Sequence, residues 1–166
     1  KFEAKHINYL HNLYFKLIPP LNAELSVRRK HLVSVYLSGA YARLELGFDM
    51  QNAAQEELVR EQALLDLVAS VAKDASQLEF VLFPHPSVET DESAAYFYRD
   101  LLSLPNVSLR PAGFSSMQLY DFFELGISGL SNTAFERLES GHKSVLVVDG
   151  IHHALIKNTK LRNICF

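Results

Sequence analysis

Apolar residues recur at helical spacing through the first segment, KFEAKHINYLHNLYFKLIPPLNAEL, at Ile7, Leu10, Leu13, Tyr14 and Leu17, and Pro19-Pro20 ends that predicted helix. The pattern then alternates. HLVSVYLSG (31–39) is a β-branched run that ends in glycine and reads as a strand. QNAAQEELVREQALLDLVASVAKD (51–74) is a long amphipathic helix with Leu58, Leu65, Val68 and Val71 on one face. LEFVLF (78–83) is a second strand, and DESAAYFYRDLLSL (91–104) a helix with Asp91 as its N-cap. NVSLRP (106–111) is a short strand, SSMQLYDFFEL (115–125) a helix begun by Ser115 or Ser116, and GISGL (126–130) another short strand. NTAFERLES (132–140) is a helix closed by Gly141, and KSVLVVDG (143–150) the last clear strand before a weak helix over HHALIKN.

Strands that alternate with helical segments of ten residues or more predict βαβ units and a parallel sheet. The runs VLF and SVLVV lack polar alternation, as strands covered on both faces do. The expected fold is α/β, a doubly wound, Rossmann-like parallel sheet of five or six strands flanked by helices. Residues 1–30 form a helix and connection suited to packing against another domain, and 31–166 form the α/β domain. Arg28, Arg29 and Lys30 read as a solvated connection rather than a binding patch. Leu58, Leu65, Val81, Phe83, Leu102, Phe122, Val145 and Val147 are expected in the core.

Composition narrows the class. The 166 residues fit one domain, with 48% hydrophobic and 21% charged residues. A net charge of −3 gives no footprint for nucleic acid. The single cysteine, Cys165, excludes an intrachain disulfide and suits a reducing, cytoplasmic setting. No apolar run is long enough to span a bilayer. The chain begins at Lys1 without a methionine, and is expected to be part of a larger protein.

In an open parallel sheet, ligands bind beyond the carboxyl ends of the strands, where strand order reverses. Those ends are small, polar or turn-forming here: Ser38-Gly39-Ala40 after the first strand, Pro84-His85-Pro86 after the second, and Ser131-Asn132-Thr133 after the fourth. Gly39 would let a ligand approach the backbone. The prolines around His85 stop the strand and present the imidazole. Ser131, Asn132 and Thr133 open a helix whose free N–H groups and partial positive charge suit phosphate, and Glu136 lies one turn further in. The plainer alternative makes His85 a surface residue, Ser131 a helix cap and Glu136 a capping-box-like contact.

Together, the Pro-His-Pro turn and SGLSNTAFERLESGHKSVLVVD resemble the C-terminal, donor-binding half of two-domain GT-B glycosyltransferases. The resemblance covers roughly residues 32–150. It is greatest to bacterial surface-polysaccharide transferases with an HP motif and a downstream serine motif, a group that includes sialyl and Kdo transferases using CMP-linked sugars. The resemblance implies that His85-Pro86 is the HP motif. His85 with the hydroxyls of Ser131 and Thr133 would hold the donor phosphate, and Glu136 would contact the ribose. It implies a nucleotide sugar as substrate, capsule or lipopolysaccharide synthesis as the setting, and an N-terminal partner domain carrying the catalytic base; no metal cofactor is expected. That acidic motif does not occur in this sequence. Peripheral membrane association of the full protein is left open.

Other chemistries lack their signatures. Gly129-Leu130-Ser131-Asn132 misses the second glycine of a nucleophile elbow, and no GxxxxGK[ST] or GxGxxG occurs. His142, His152 and His153 have no zinc-ligand spacing. A nucleotide-sugar epimerase or hydrolase of the same layout, and a non-catalytic α/β ligand-binding domain, remain as alternatives.

Overall fold

The structure, a computed structural model, describes residues 29–40, 51–85, 96–110, 114–129 and 131–147. The expected N-terminal helix, the Asp91 cap, Pro86 and the weak helix after residue 150 lie outside the described residues. Five strands form one sheet: β1 (Arg29–Tyr36), β2 (Glu79–Phe83), β3 (Val107–Leu109), β4 (Phe123–Ser128) and β5 (Ser144–Leu146). Their order is β3-β2-β1-β4-β5, and every pairing is parallel. The expected doubly wound α/β fold is therefore observed.

Strand alternation builds the two layers. Val33 and Val35 of β1, with Leu37 just past its end, join Phe80 and Leu82 of β2 on one face. Helix α1 (Gln51–Asp74) covers that face with Leu64, Leu65, Val68 and Ala72, and the short helix α2 (Arg99–Leu102) adds Leu101. The other face of β1 and β2 presents Tyr36 and Phe83, covered by Leu119, Tyr120 and Phe123. Val35 and Leu82 are wholly buried, each burial contributing roughly 1.5–3 kcal/mol. Asn106 secures the junction after α1. Its side-chain amide donates to the carbonyls of Ala72 (3.0 Å) and Leu78 (2.9 Å), satisfying a helix-end carbonyl that has no partner within the helix.

Helix α1 keeps its expected limits, but its buried face differs. Val71 is exposed, and Ala72 takes its place, because the stripe through Leu64, Leu65 and Val68 continues four residues on from Val68. Of the expected core, Leu65 and Phe83 are buried, while Leu58, Val81, Leu102, Phe122, Val145 and Val147 are half-buried.

Two further boundaries are corrected. The segment expected as a helix over 115–125 is a 3₁₀ turn, Met117–Phe122, and β4 begins at Phe123 rather than Gly126. Pairing with the central strand outweighs the local helical pattern there. Arg29 and Lys30 belong to β1 rather than to a connection before it. Arg29 pairs with Phe123, and the next register pair is Val33 with Leu125, so β1 carries two extra residues in a bulge. His31, at φ 87°, makes that bend in the left-handed region, which costs a non-glycine residue about 1–2 kcal/mol.

Candidate ligand-binding cleft

β1 sends one connection to β2 on one side, and its other neighbour is β4, reached only after the chain has formed β3. The strand order reverses between β1 and β4, which is where a sheet of this kind opens a crevice at its carboxyl edge. A half-open cleft lies there, lined by Tyr36, Ser38, Glu57, Arg60, Glu61, Leu64, Gly129, Ser131 and Val147.

One wall is the turn after β1. Gly39 is buried at φ 71°, a conformation that glycine adopts without the Cβ clash other residues would meet. The turn is fastened by Glu61 of α1, which is 3% exposed. Its Oε2 accepts from the Ser38 N–H (3.0 Å), the Ala40 N–H (3.3 Å) and the Ser38 hydroxyl, and its Oε1 accepts from the Tyr98 hydroxyl at 2.8 Å. Burial, and then the adjacent Glu61 carboxylate, push the Tyr98 phenol well above its ordinary value. Glu57, one turn earlier, and Arg60, the residue before Glu61, line the same wall, and Arg60 pairs with Glu56 at 3.1 Å.

The opposite wall is the start of helix α3 (Asn132–Glu139). Ser131 is its N-cap, in extended backbone, and its hydroxyl accepts from the Thr133 N–H at 3.1 Å. Asn132 is exposed and Thr133 half-buried. The capping-box position is held by Ala134, so Glu136 makes no such contact. Its carboxylate instead accepts from the Tyr120 hydroxyl at 3.1 Å, and burial followed by that carboxylate raises the Tyr120 phenol.

Beneath this wall lies Arg137, fully buried. Its guanidinium donates to the Tyr36 hydroxyl (3.3 Å) and to the carbonyls of Tyr120 (3.4 Å), Phe123 (3.3 Å) and Lys143 (3.2 Å). Its Nε is buried without a hydrogen-bond partner. The Arg137 stem crosses β4 at Gly126, whose missing side chain makes its room. Tyr36 carries a raised phenol, burial outweighing the lowering effect of Arg137.

The residues expected to act together are distributed as follows. Ser131 lines the cleft, and Gly39 lies in the turn that forms the opposite wall. Thr133 is tied to Ser131, while Glu136 is engaged with Tyr120. His85 is half-buried, two residues past the end of β2, and is not among the lining residues. Strand β1 lies between β2 and β4, two strand spacings or about 10 Å. The sequence reading missed Glu57, Arg60, Glu61 and Arg137. An acid within the apolar stripe of α1 was the signal for Glu61, and a cation three residues after buried Ala134 was the signal for Arg137. Among the described residues, no group of three or more His, Cys, Asp or Glu side chains is arranged to hold a metal ion, and no helix is long and apolar enough to cross a membrane.

The geometry defines a class first: a doubly wound α/β domain with a cleft at the reversal of strand order. Among solved structures, the fold is similar to the β-Kdo 2,4 transferase KpsC of Thermosulfurimonas dismutans, with a TM-score of 0.50 and 14% sequence identity. The match covers 87% of this chain and 46% of that one, so this chain spans about half the length of its structural relative. No family model matches the sequence, and no curated protein matches it.

Proposed function

We propose that this chain is the nucleotide-sugar-binding domain of a glycosyltransferase acting in bacterial surface-polysaccharide synthesis, with a CMP-linked sugar as donor. The observation that carries this reading is the cleft at the strand-order reversal, with a hydroxyl-capped helix start, Ser131 to Thr133, on one wall. The similarity of fold to a Kdo transferase supports it.

Glycosyl transfer from a nucleotide sugar releases a nucleoside phosphate, so negative charge gathers on phosphate oxygens in the transition state. The α3 amides and the hydroxyls of Ser131 and Thr133 would receive that charge, aided by the positive end of the helix. His85 would approach from the β2 side, its side chain and one phosphate together bridging the two strand spacings. Glu136 would take the ribose hydroxyls by exchanging its bond with Tyr120. The acceptor and the catalytic base would come from an N-terminal domain of the same protein, with the reaction in the space between the two domains.

The test is an amide NMR or calorimetric titration of the 166-residue chain with CMP, CDP and UDP. Cytidine nucleotides should bind more tightly than UDP and move the signals of Gly39, His85 and Ser131. A chain whose Gly39, His85 and Ser131 signals stay fixed with every nucleotide would remove the proposal. Product analysis with water as the sole acceptor separates transfer from nucleotide-sugar hydrolysis.

A further inference from the structure

We infer that the turn after β1 is an oxyanion seat already filled by the protein's own Glu61, and that Glu61 thereby decides which turn at the strand-order reversal can receive a ligand's anion. The inference has two parts. The filled seat stands on the geometry alone, and only its consequence for a phosphate rests on the nucleotide-sugar reading above.

Three donors of one short turn converge on a single carboxylate oxygen: the N–H groups of Ser38 and Ala40 and the Ser38 hydroxyl. Between the two amides sits Gly39 in the left-handed conformation, which directs successive N–H groups to one side of the backbone. Backbone concavities of this kind hold anions. In a doubly wound sheet the first βα turn is a place where a nucleotide's phosphate is expected. Here an anion is present at that place and belongs to α1. Tyr98 binds its other oxygen, and the carboxylate is almost wholly buried.

The consequence is a polarised cleft. A free phosphate at the β1 turn would find its donors taken and a carboxylate in its place, with Glu57 close by on the same wall. The opposite wall offers a helix N-terminus. Arg60, the cation of that same wall, is paired with Glu56. A ligand bearing one anionic group is thus turned so that the anion faces Ser131, leaving its hydroxyl groups toward Glu57, whose carboxylate can accept hydrogen bonds.

The experiment compares the 166-residue chain with its Glu61→Ala and Glu61→Gln variants. Each is titrated with sodium formate and with inorganic phosphate at constant ionic strength, and read by the amide signals of Ser38 and Ala40 and by urea unfolding. In the unaltered chain neither anion should move those two signals. In Glu61→Ala, formate should move both saturably. At 100 times its dissociation constant it should raise the folded-to-unfolded ratio about 100-fold. Glu61→Gln, which fills the same space without the charge, should show neither response. If Glu61→Ala is unfolded in buffer, refolding on addition of formate supports the inference, and failure to refold overturns it. A folded Glu61→Ala without a formate response, or saturable movement of Ser38 and Ala40 by phosphate in the unaltered chain, also overturns it. Absence of nucleotide binding would remove the reading of the cleft while leaving the formate result intact.

Discussion

Gly126→Ala tests the packing beneath the cleft. The added Cβ would stand 2.5 Å from Arg137 Nε, 2.8 Å from its Cδ and 3.1 Å from Tyr36 Cε2. The first contact falls about 1 Å inside a comfortable separation of roughly 3.5 Å. A surface arginine would swing away. Arg137 is held at its far end by Tyr36, Tyr120, Phe123 and Lys143, so the middle of its side chain cannot move unless some of those bonds stretch or break. Overpacking costs about 1–3 kcal/mol, and loss of one hydrogen bond to a charged group about 1.5–3 kcal/mol. Against this, glycine to alanine at an ordinary backbone position stabilises by about 0.4–1 kcal/mol through the unfolded state. The net expectation is a loss of about 1.5–5.5 kcal/mol in urea unfolding. The same substitution made in an Arg137→Met background should cost less than about 0.5 kcal/mol, because the obstructing atoms are more compliant and no longer clasped. A Gly126→Ala chain as stable as the parent, or equal costs in the two backgrounds, would refute the reasoning.

Other consequences can be checked separately. The buried phenols of Tyr36, Tyr98 and Tyr120 hold their protons above the ordinary tyrosine value, so the unfolded chain releases protons that the folded chain keeps. Stability should therefore be insensitive to these groups below about pH 9 and fall as pH rises past about 10; ultraviolet titration of all three near pH 10 with the fold intact would contradict this. Ser131→Ala removes the acceptor for the Thr133 N–H and should cost about 1 kcal/mol in urea unfolding, with no change indicating that the cap contributes nothing. His85→Ala in the full-length protein should lower donor-dependent turnover by about 10²–10³ and leave the melting temperature nearly unchanged. An early-melting but fully active variant would make His85 a packing residue.

The layered α/β fold was legible because its signals are local and repeated: α1 has the limits its pattern predicts, and β2 differs by one residue. β4 was harder to read. Its start at Phe123 continues an apparently helical pattern, and Gly126 lowers its strand propensity, although that glycine serves the Arg137 stem from another element. Ser131 could be read as a helix cap from residue type alone. Glu61 could not be matched to Ser38 and Ala40, because the contact spans 21 to 23 residues and depends on how α1 settles on the sheet. Glu136 illustrates the converse. Its distance from Ser131 in sequence suggested a ligand or a cap, and its carboxylate instead takes the hydroxyl of Tyr120 from the 3₁₀ turn.

The bulge at the start of β1 makes the two ends of the central strand unequal in their tolerance of change in length. From Val33 to Tyr36 the register with β4 runs without interruption to the cleft, whereas between Arg29 and Val33 it already accommodates surplus chain. An insertion or deletion near His31 can be absorbed locally, as bulges absorb it. One residue added between Val33 and Tyr36 would reverse the facing of everything beyond it, sending Tyr36 toward α1 and Leu37 toward Arg137. The amino edge of the sheet is thus the place where this domain can accept grafted sequence or a shifted boundary, while the spacing of its carboxyl edge stays fixed.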